Sequence, residues 1–294
     1  MINIGCYRIR HIRILAEQFG TGGFWGQWKS RLDPYRCSPA SGEQADLRLN
    51  NRFDWEPSGE WRLVKTVKAG ICAMDVQMND AGDTLWEYYR EKNREMYVRY
   101  WMSRAYDEIR LLYDDSRTAG HLPFDLLEQL MPPVFLRHDA ITFHGVLMEH
   151  EGRGIILSAP PNIGKTTHAR LWRDHKRALI INGDRAACCI EDGRWIAFGI
   201  PWCGSSGESV NRDVPVTAFV ALEQARVNRA ERLYGLDAFE AVMPGLLYPA
   251  WDRELAGKAL DFVDDFLEKV PVFRLSCRPD AESVEVLDRA LREL

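Results

Sequence analysis

The segment Gly154-Ile155-Ile156-Leu157-Ser158-Ala159-Pro160-Pro161-Asn162-Ile163-Gly164-Lys165-Thr166-Thr167 gathers residue types that can do chemistry at a telling spacing. It follows the pattern G-x-x-x-x-G-K-S/T, with Ala159 where the first glycine belongs. An apolar run feeds it and a helical run leaves it. Main-chain N–H groups and the positive end of a helix would therefore converge on one point, where an anion can sit. The anion expected there is the phosphate tail of ATP or another nucleoside triphosphate. Pro161, Asn162, Ile163, Gly164, Lys165, Thr166 and Thr167 are the candidate nucleotide-binding residues. Lys165 would neutralise the β and γ oxygens, and the Thr166 hydroxyl would ligate Mg²⁺. Gly164 is expected on the ground that a side chain would crowd the phosphate. Ala159 removes one source of positive φ, and Pro160 and Pro161 delete two donors, but these losses precede the amides from Ile163 onward. The competing reading is a Gly-Lys-Thr helix start with no ligand, and the flanking strand and helix weigh against it.

The elements that must position this loop are legible as patterns. β-like runs at 143–149 and 153–158 are separated by a Glu151-Gly152 turn and followed by a helical run at 165–173 and a strand at 178–181. Strand, loop, helix, strand predicts a parallel βαβ unit. Further strands are expected at 195–198 and 216–222, around the Gly/Ser-rich stretch 203–209. Helices are expected at 237–247, 251–267 and 281–294, with a strand at 270–275. This half reads as α/β.

The first half reads as β-rich, with strands at 7–14, 46–49, 61–67 and 71–78 bounded by turn residues. A short helix at 124–131 is expected to close at Pro132-Pro133. The reading therefore divides the chain into a smaller β-rich domain, 1–120, and an α/β domain, 121–294. Trp25, Trp28, Trp55, Trp61 and Trp86 are expected as core anchors.

The bulk properties exclude several classes. A net charge of −5 and a pI near 5.9 supply no basic field for a nucleic-acid backbone. No apolar stretch approaches the roughly 20 residues a spanning helix needs, so no membrane partner is expected. The N-terminal charges are scattered among apolar residues, which does not read as a secretory signal, and a cytoplasmic location is expected. Cys6, Cys37, Cys72, Cys188, Cys189, Cys203 and Cys277 are odd in number and form no C-x-x-C pair. They read as reduced thiols, with Cys188 and Cys189 in the core.

The order and spacing of His144-Gly145-Val146-Leu147, Gly152, Gly154-Ile155-Ile156-Leu157 and Gly164-Lys165-Thr166 resemble the core of the bacterial HPr kinase/phosphorylases, clearly over 143–184. The chain looks closer still to HPr-kinase-like P-loop proteins of unassigned substrate, whose loop reads S-A-P-x-x-x-G-K-S/T-T-H before an Arg-Leu-Trp helix. Ser158-Ala159-Pro160, Thr167-His168 and Arg170-Leu171-Trp172 fit that form, which makes Ala159 a subfamily trait. The resemblance implies a P-loop α/β core related to ATP-dependent phosphoenolpyruvate carboxykinase. It also implies an enzyme that uses ATP and Mg²⁺ to phosphorylate a serine hydroxyl.

The resemblance further implies an acidic general base after the strand that follows the loop helix, a position held here by Asp184. A hydroxyl attacking a phosphoryl group needs such a carboxylate to orient it and take its proton. The family has two adjacent aspartates, whereas this chain has Asp184-Arg185. One carboxylate must then serve as base, as metal-linked group, or both, and Arg185 could stabilise transferring charge. The competing reading of Asp184 is a turn residue in Asn-Gly-Asp. His144 matches the family histidine. It is either a polar neighbour of that carboxylate or a hydrogen-bonded core residue. A metal pair of His144 with His150 is disfavoured, because six strand residues span about 20 Å. His168 is expected to be structural or at the surface. Glu208 and Arg212 are weak candidates for a metal-linked and a phosphate-linked group.

The resulting expectation is an ATP- and Mg²⁺-dependent phosphotransferase acting on a hydroxyl, serine above all, of a protein, peptide or small molecule. The β-rich half would serve acceptor recognition or a homo-oligomer contact. The alternative is a catalytically weak nucleotide-binding accessory protein that docks a partner. A decarboxylating carboxykinase is disfavoured, since no second metal-binding His-Lys constellation is present.

Overall fold

Alternating apolar residues in the first half build one sheet from β1 (Ile4–Ile9), β2 (Ile12–Glu17), β3 (Leu47–Asn51), β4 (Arg62–Ala69), β5 (Cys72–Met78), β6 (Thr84–Arg90), β7 (Glu95–Met102) and β8 (Glu108–Tyr113). The computed structural model describes residues 4–17, 30–38, 44–51, 57–113 and 122–294. The strand order is β1-β2-β3-β8-β7-β6-β5-β4. β4 to β8 form an antiparallel meander, while β3 runs parallel to both β2 and β8. The single strand expected at 7–14 is instead a hairpin, with Ile9 paired to Ile12 across Arg10-His11. Arg10 takes a φ of 55°, a conformation usually advertised by Gly or Asn, so the turn left no mark in the sequence. Trp86 is buried and its Nε1 donates to Thr84 Oγ1 at 3.0 Å, as expected of an anchor. Trp61 is half-buried, and Trp25, Trp28 and Trp55 lie outside the described residues.

The contacts divide the chain into Met1–Val134 and Phe135–Leu294. The junction expected after residue 120 lies outside the described residues. The helix expected at 124–131 is two short ones, α1 (Leu122–Leu127) and α2 (Met131–Arg137). Pro132 and Pro133 do not close a helix but sit in the first turn of α2, where a missing N–H costs no intrahelical bond.

The second unit comprises β9 (Ala140–His144), β10 (Val146–His150), β11 (Arg153–Ser158), α3 (Lys165–Lys176), β12 (Leu179–Asn182), β13 (Arg185–Glu191), β14 (Arg194–Phe198), β15 (Asp213–Gln224), β16 (Arg229–Leu233), α4 (Gly235–Val242), β17 (Leu246–Leu247), α5 (Arg253–Lys269), β18 (Val272–Cys277) and α6 (Ala281–Arg292). The sheet order is β12-β10-β11-β15-β14-β13-β9-β17, with β18 pairing β15 and β16. β11, β15 and β18 run parallel. β11 and β12 do not pair with each other, because β10 lies between them and is antiparallel to both. The expected βαβ unit therefore has an antiparallel strand in its middle.

The run expected as one strand at 143–149 breaks at Gly145. β9 pairs β13 and β17, whereas β10 pairs β11 and β12. A Cβ at Gly145 would lie 2.8 Å from Leu157 O, so only glycine allows the two paths to part there. The helix expected at 237–247 ends at Val242, where Met243-Pro244-Gly245 forms a 3-10 turn into β17.

One face of β10, β11, β15 and β18 packs Met148, Leu157, Val220 and Leu275 with Trp172 of α3 and Val284 and Leu287 of α6. Elsewhere Phe143 meets Phe219 at 5.4 Å and Phe266 of α5 at 5.1 Å between ring centroids. Each such side chain contributes about 1.5–3 kcal/mol by burial, which anchors both ends of the loop between β11 and α3. The result is a mixed α/β protein with two large mixed sheets.

Candidate functional site

The chain leaves β11 at Ser158 and enters α3 at Lys165, so the loop is the stretch Ala159 to Gly164. Ser158 Oγ donates to His144 O at 2.9 Å, which ties the loop's start to the end of β9. Asn162 and Gly164 have φ of 66° and 116°. A Cβ on Gly164 would meet nothing within 4 Å. Crowding by the protein is thus not what demands glycine; the left-handed backbone is. Gly164 is also the N-cap of α3, with no side-chain capping bond. First-turn N–H groups of a helix have no intrahelical acceptor. Pro160, Pro161, Asn162 and Thr167 are exposed, and Ile163 and Thr166 are half-buried. Gln224, at the end of β15, donates through Nε2 to Ile163 O at 3.2 Å and steadies the loop from one side.

Lys165 turns inward and is only 9% exposed. Its Nζ donates to Ala159 O at 2.7 Å and lies 3.1 Å from His144 Nε2. The other imidazole nitrogen, Nδ1, contacts Arg185 Nη1 and lies 3.7 Å from Asp184 Oδ1. Arg185 Nη1 in turn lies 3.1 Å from Asp184 Oδ2. The fold thus brings together Lys165, His144, Asp184 and Arg185, from four separate places in the pattern: a helix start, the end of β9, a turn and the start of β13.

The electrostatics follow from this crowding. Burial lowers the Lys165 ammonium from its ordinary value; Asp184 opposes that shift and Arg185 adds to it. Burial pushes the Asp184 carboxyl up, but the His144 imidazole beside it and the charges of Arg185 and Lys165 hold it below the usual carboxylate range. Two cations therefore face one carboxylate. A neutral imidazole has one acceptor nitrogen, so His144 cannot accept from both Lys165 and Arg185.

Asn182 is the residue that sequence reasoning missed. It is fully buried, and its Oδ1 accepts from the Asp184 N–H at 3.0 Å and the Arg185 N–H at 2.8 Å. Its Nδ2 donates to Ile200 O at 3.0 Å and Trp202 O at 2.9 Å. The Asn-Gly-Asp triplet is the signal of such a side-chain-bonded turn, so the competing reading of Asp184 as a turn residue holds locally. The 203–209 stretch packs over this turn. A Cβ on Gly204 would lie 2.7 Å from Asp184 Cγ, and one on Gly183 would lie 2.1 Å from Ser206 Oγ.

Other candidates are engaged elsewhere. Glu208 pairs with Arg173 at 2.8 Å, and Arg212 is held by Glu149. His150 packs edge-on against Trp172. His168 is buried: it accepts from Trp172 Nε1 through Nε2 at 3.2 Å, which leaves Nδ1 to carry the proton toward Ser283 Oγ at 3.4 Å. Burial lowers the His168 pKa to about 4, so this histidine is a neutral structural link between α3 and α6. Cys188 and Cys189 are buried. Among the described residues, no group of three or more His, Cys, Asp or Glu is arranged to hold a metal ion. An Mg²⁺ bound chiefly through phosphate oxygens and water needs only one or two protein ligands.

No family model matches the chain, and no curated protein matches it. Among solved structures, an HPr(Ser) kinase/phosphatase from Coxiella burnetii is similar over 52% of this chain and 96% of its own, with 15% identity and a TM-score of 0.30. A likeness that loose carries no argument about chemistry. No helix among the described residues is long and apolar enough to cross a membrane.

Proposed function

We infer that the protein is a phosphotransferase that moves a phosphoryl group from ATP, or another nucleoside triphosphate, to a hydroxyl. The acceptor class is a serine or similar hydroxyl on a protein, peptide or small molecule. The observation that carries this reading is the convergence of Lys165, His144 and Arg185 on Asp184 at the uncapped start of α3. The residues present fit a triphosphate: the outer side of Gly164 is open, and the helix start offers amides. Asn162 to Thr167 would hold the phosphate tail, with Thr166 and Asp184 as the protein ligands of Mg²⁺. When bound, the nucleotide and its metal supply the group to be transferred and much of the charge compensation.

The chain's own groups do the rest. Lys165 neutralises phosphate oxygens, and the cost of its burial falls as it gains an anionic partner. Asp184, ionised at neutral pH, accepts a hydrogen bond from the incoming hydroxyl and takes its proton as transfer proceeds. His144 keeps that carboxylate oriented, and Arg185 stands where charge on the moving group can be offset. The test is incubation with labelled ATP and candidate acceptors. Transfer that vanishes in both Lys165→Ala and Asp184→Asn supports the reading.

A second reading has its own observation. Arg185 stands beside Asp184 and already engages the carboxylate at 3.1 Å, as it would in a nucleotide-binding accessory protein with little catalysis. Tight ATP uptake by calorimetry without transfer to any acceptor would favour it.

A further inference from the structure

Cys6 and Cys37 bring their sulfurs to 2.8 Å from one another, across a separation of 31 residues in the chain. The contact is built by backbone. Tyr7 and Arg36 form an antiparallel bridge, and the Cys37 N–H donates to Cys6 O at 3.0 Å, so the two cysteines stand directly opposite. Opposed residues of an antiparallel pair have Cα atoms about 4.5–5.5 Å apart. That spacing lies inside the roughly 4.4–6.8 Å a disulfide requires. Both thiols are reduced in this structure.

We propose that Cys6 and Cys37 form a reversible, peroxide-responsive disulfide that fastens the segment around Cys37 to β1. Cys37, the less buried sulfur, meets the oxidant, while Cys6 is only 5% exposed. The Cys37 sulfur attacks the O–O bond of hydrogen peroxide. That bond breaks, water leaves and a sulfenic acid remains. The Cys6 sulfur then attacks the Cys37 sulfur; the S–S bond forms, the S–O bond breaks, and the departing oxygen takes the Cys6 proton as water. In sum, two thiols lose two electrons and two protons, and one peroxide becomes two waters.

The surroundings favour the second step. Arg13 Nε donates to Cys6 Sγ at 3.5 Å, so a guanidinium lies against the sulfur that must shed its proton to attack. Burial and the Cys6 sulfur raise the Cys37 thiol from its ordinary range. That slows the first step, so closure calls for peroxide in excess. Cys6, Cys72, Cys188, Cys189, Cys203 and Cys277 are all buried, so accessibility singles out Cys37 as the sulfur that meets the oxidant.

The experiment treats the full chain with hydrogen peroxide, blocks remaining thiols with iodoacetamide and maps the peptides by mass spectrometry. The expected result is a Cys6–Cys37 cross-linked peptide that dithiothreitol reverses and that is absent in Cys37→Ser. An accompanying rise of about 5 °C in melting temperature is expected, as closure of a loop of this length commonly gives. Alkylation of both cysteines after treatment, or Cys37 over-oxidised while Cys6 still alkylates, would overturn the proposal. Cys6→Ala serves as the second variant: if Cys37→Ser misfolds, a folded Cys6→Ala that accumulates Cys37 sulfenic acid still supports it, and one that does not refutes it.

Discussion

Two carboxylates, Asp75 in the first sheet and Asp184 in the second unit, are both held below the usual range, yet their surroundings differ in kind. Asp75 accepts from Thr66 Oγ1 at 2.6 Å, Tyr89 OH at 3.0 Å and Arg94 Nη2 at 3.0 Å. One anion meets one cation and two hydroxyls, and the account is closed. Around Asp184, Arg185 and Lys165 both press upon a single carboxylate, and an open loop lies beside them. A carboxylate set between two cations beside an open loop stands where an external partner can reach it, whereas one bonded on every side within a sheet holds strands together.

That contrast can be broken most sharply at the second carboxylate. Lys165→Ala and Asp184→Asn should each lower phosphoryl transfer by roughly 10³-fold, with melting changed little. If radiolabel transfer persists while the melting temperature collapses, Asp184 is structural like Asp75. Acid sensitivity gives the next effect. The folded His168 pKa of about 4 lies below an unfolded value near 6.5, so the unfolded chain binds the extra proton first. Stability is therefore complete above about pH 6.5 and declines by about 3 kcal/mol as pH falls toward 4. Urea titrations across that window should show the slope, and His168→Gln should flatten it.

At the closed site, Asp75→Asn should cost about 2 kcal/mol in denaturant unfolding, since charge-assisted bonds are lost from a buried acceptor. Transfer activity should survive it; a loss equal to that of Asp184→Asn would erase the distinction between the two carboxylates. The smallest effect is expected at the loop. Gly164→Ala must hold a left-handed φ and should cost about 1 kcal/mol by calorimetry, together with weakened nucleotide uptake. An unchanged affinity would show that the loop's shape is not what binds.

Local pattern revealed the parts of this site that are local. The strand Arg153–Ser158 and the start of α3 at Lys165 fall where the apolar run after the Glu151-Gly152 turn and the Gly-Lys-Thr triplet put them. Asn182 escaped notice because its partners are the carbonyls of Ile200 and Trp202, which become neighbours only on folding. The insertion of β10 between β11 and β12 was hidden for the same reason: a strand's alternation shows which face is buried but not beside which strand it lies. The break at Gly145 had a visible glycine but no visible cause, since the obstructing Leu157 O belongs to another strand.

The strand β15 reaches β14 through Asp213–Pro215, β11 through Val216–Ala221 and β18 through Phe219–Gln224. Its neighbours Phe219 and Val220 feed opposite layers, the phenylalanine cluster and the packing under α3 and α6. Adding or deleting one amino acid midway would swap those assignments for every position beyond it. Evolutionary drift can therefore revise this strand's letters but not its count.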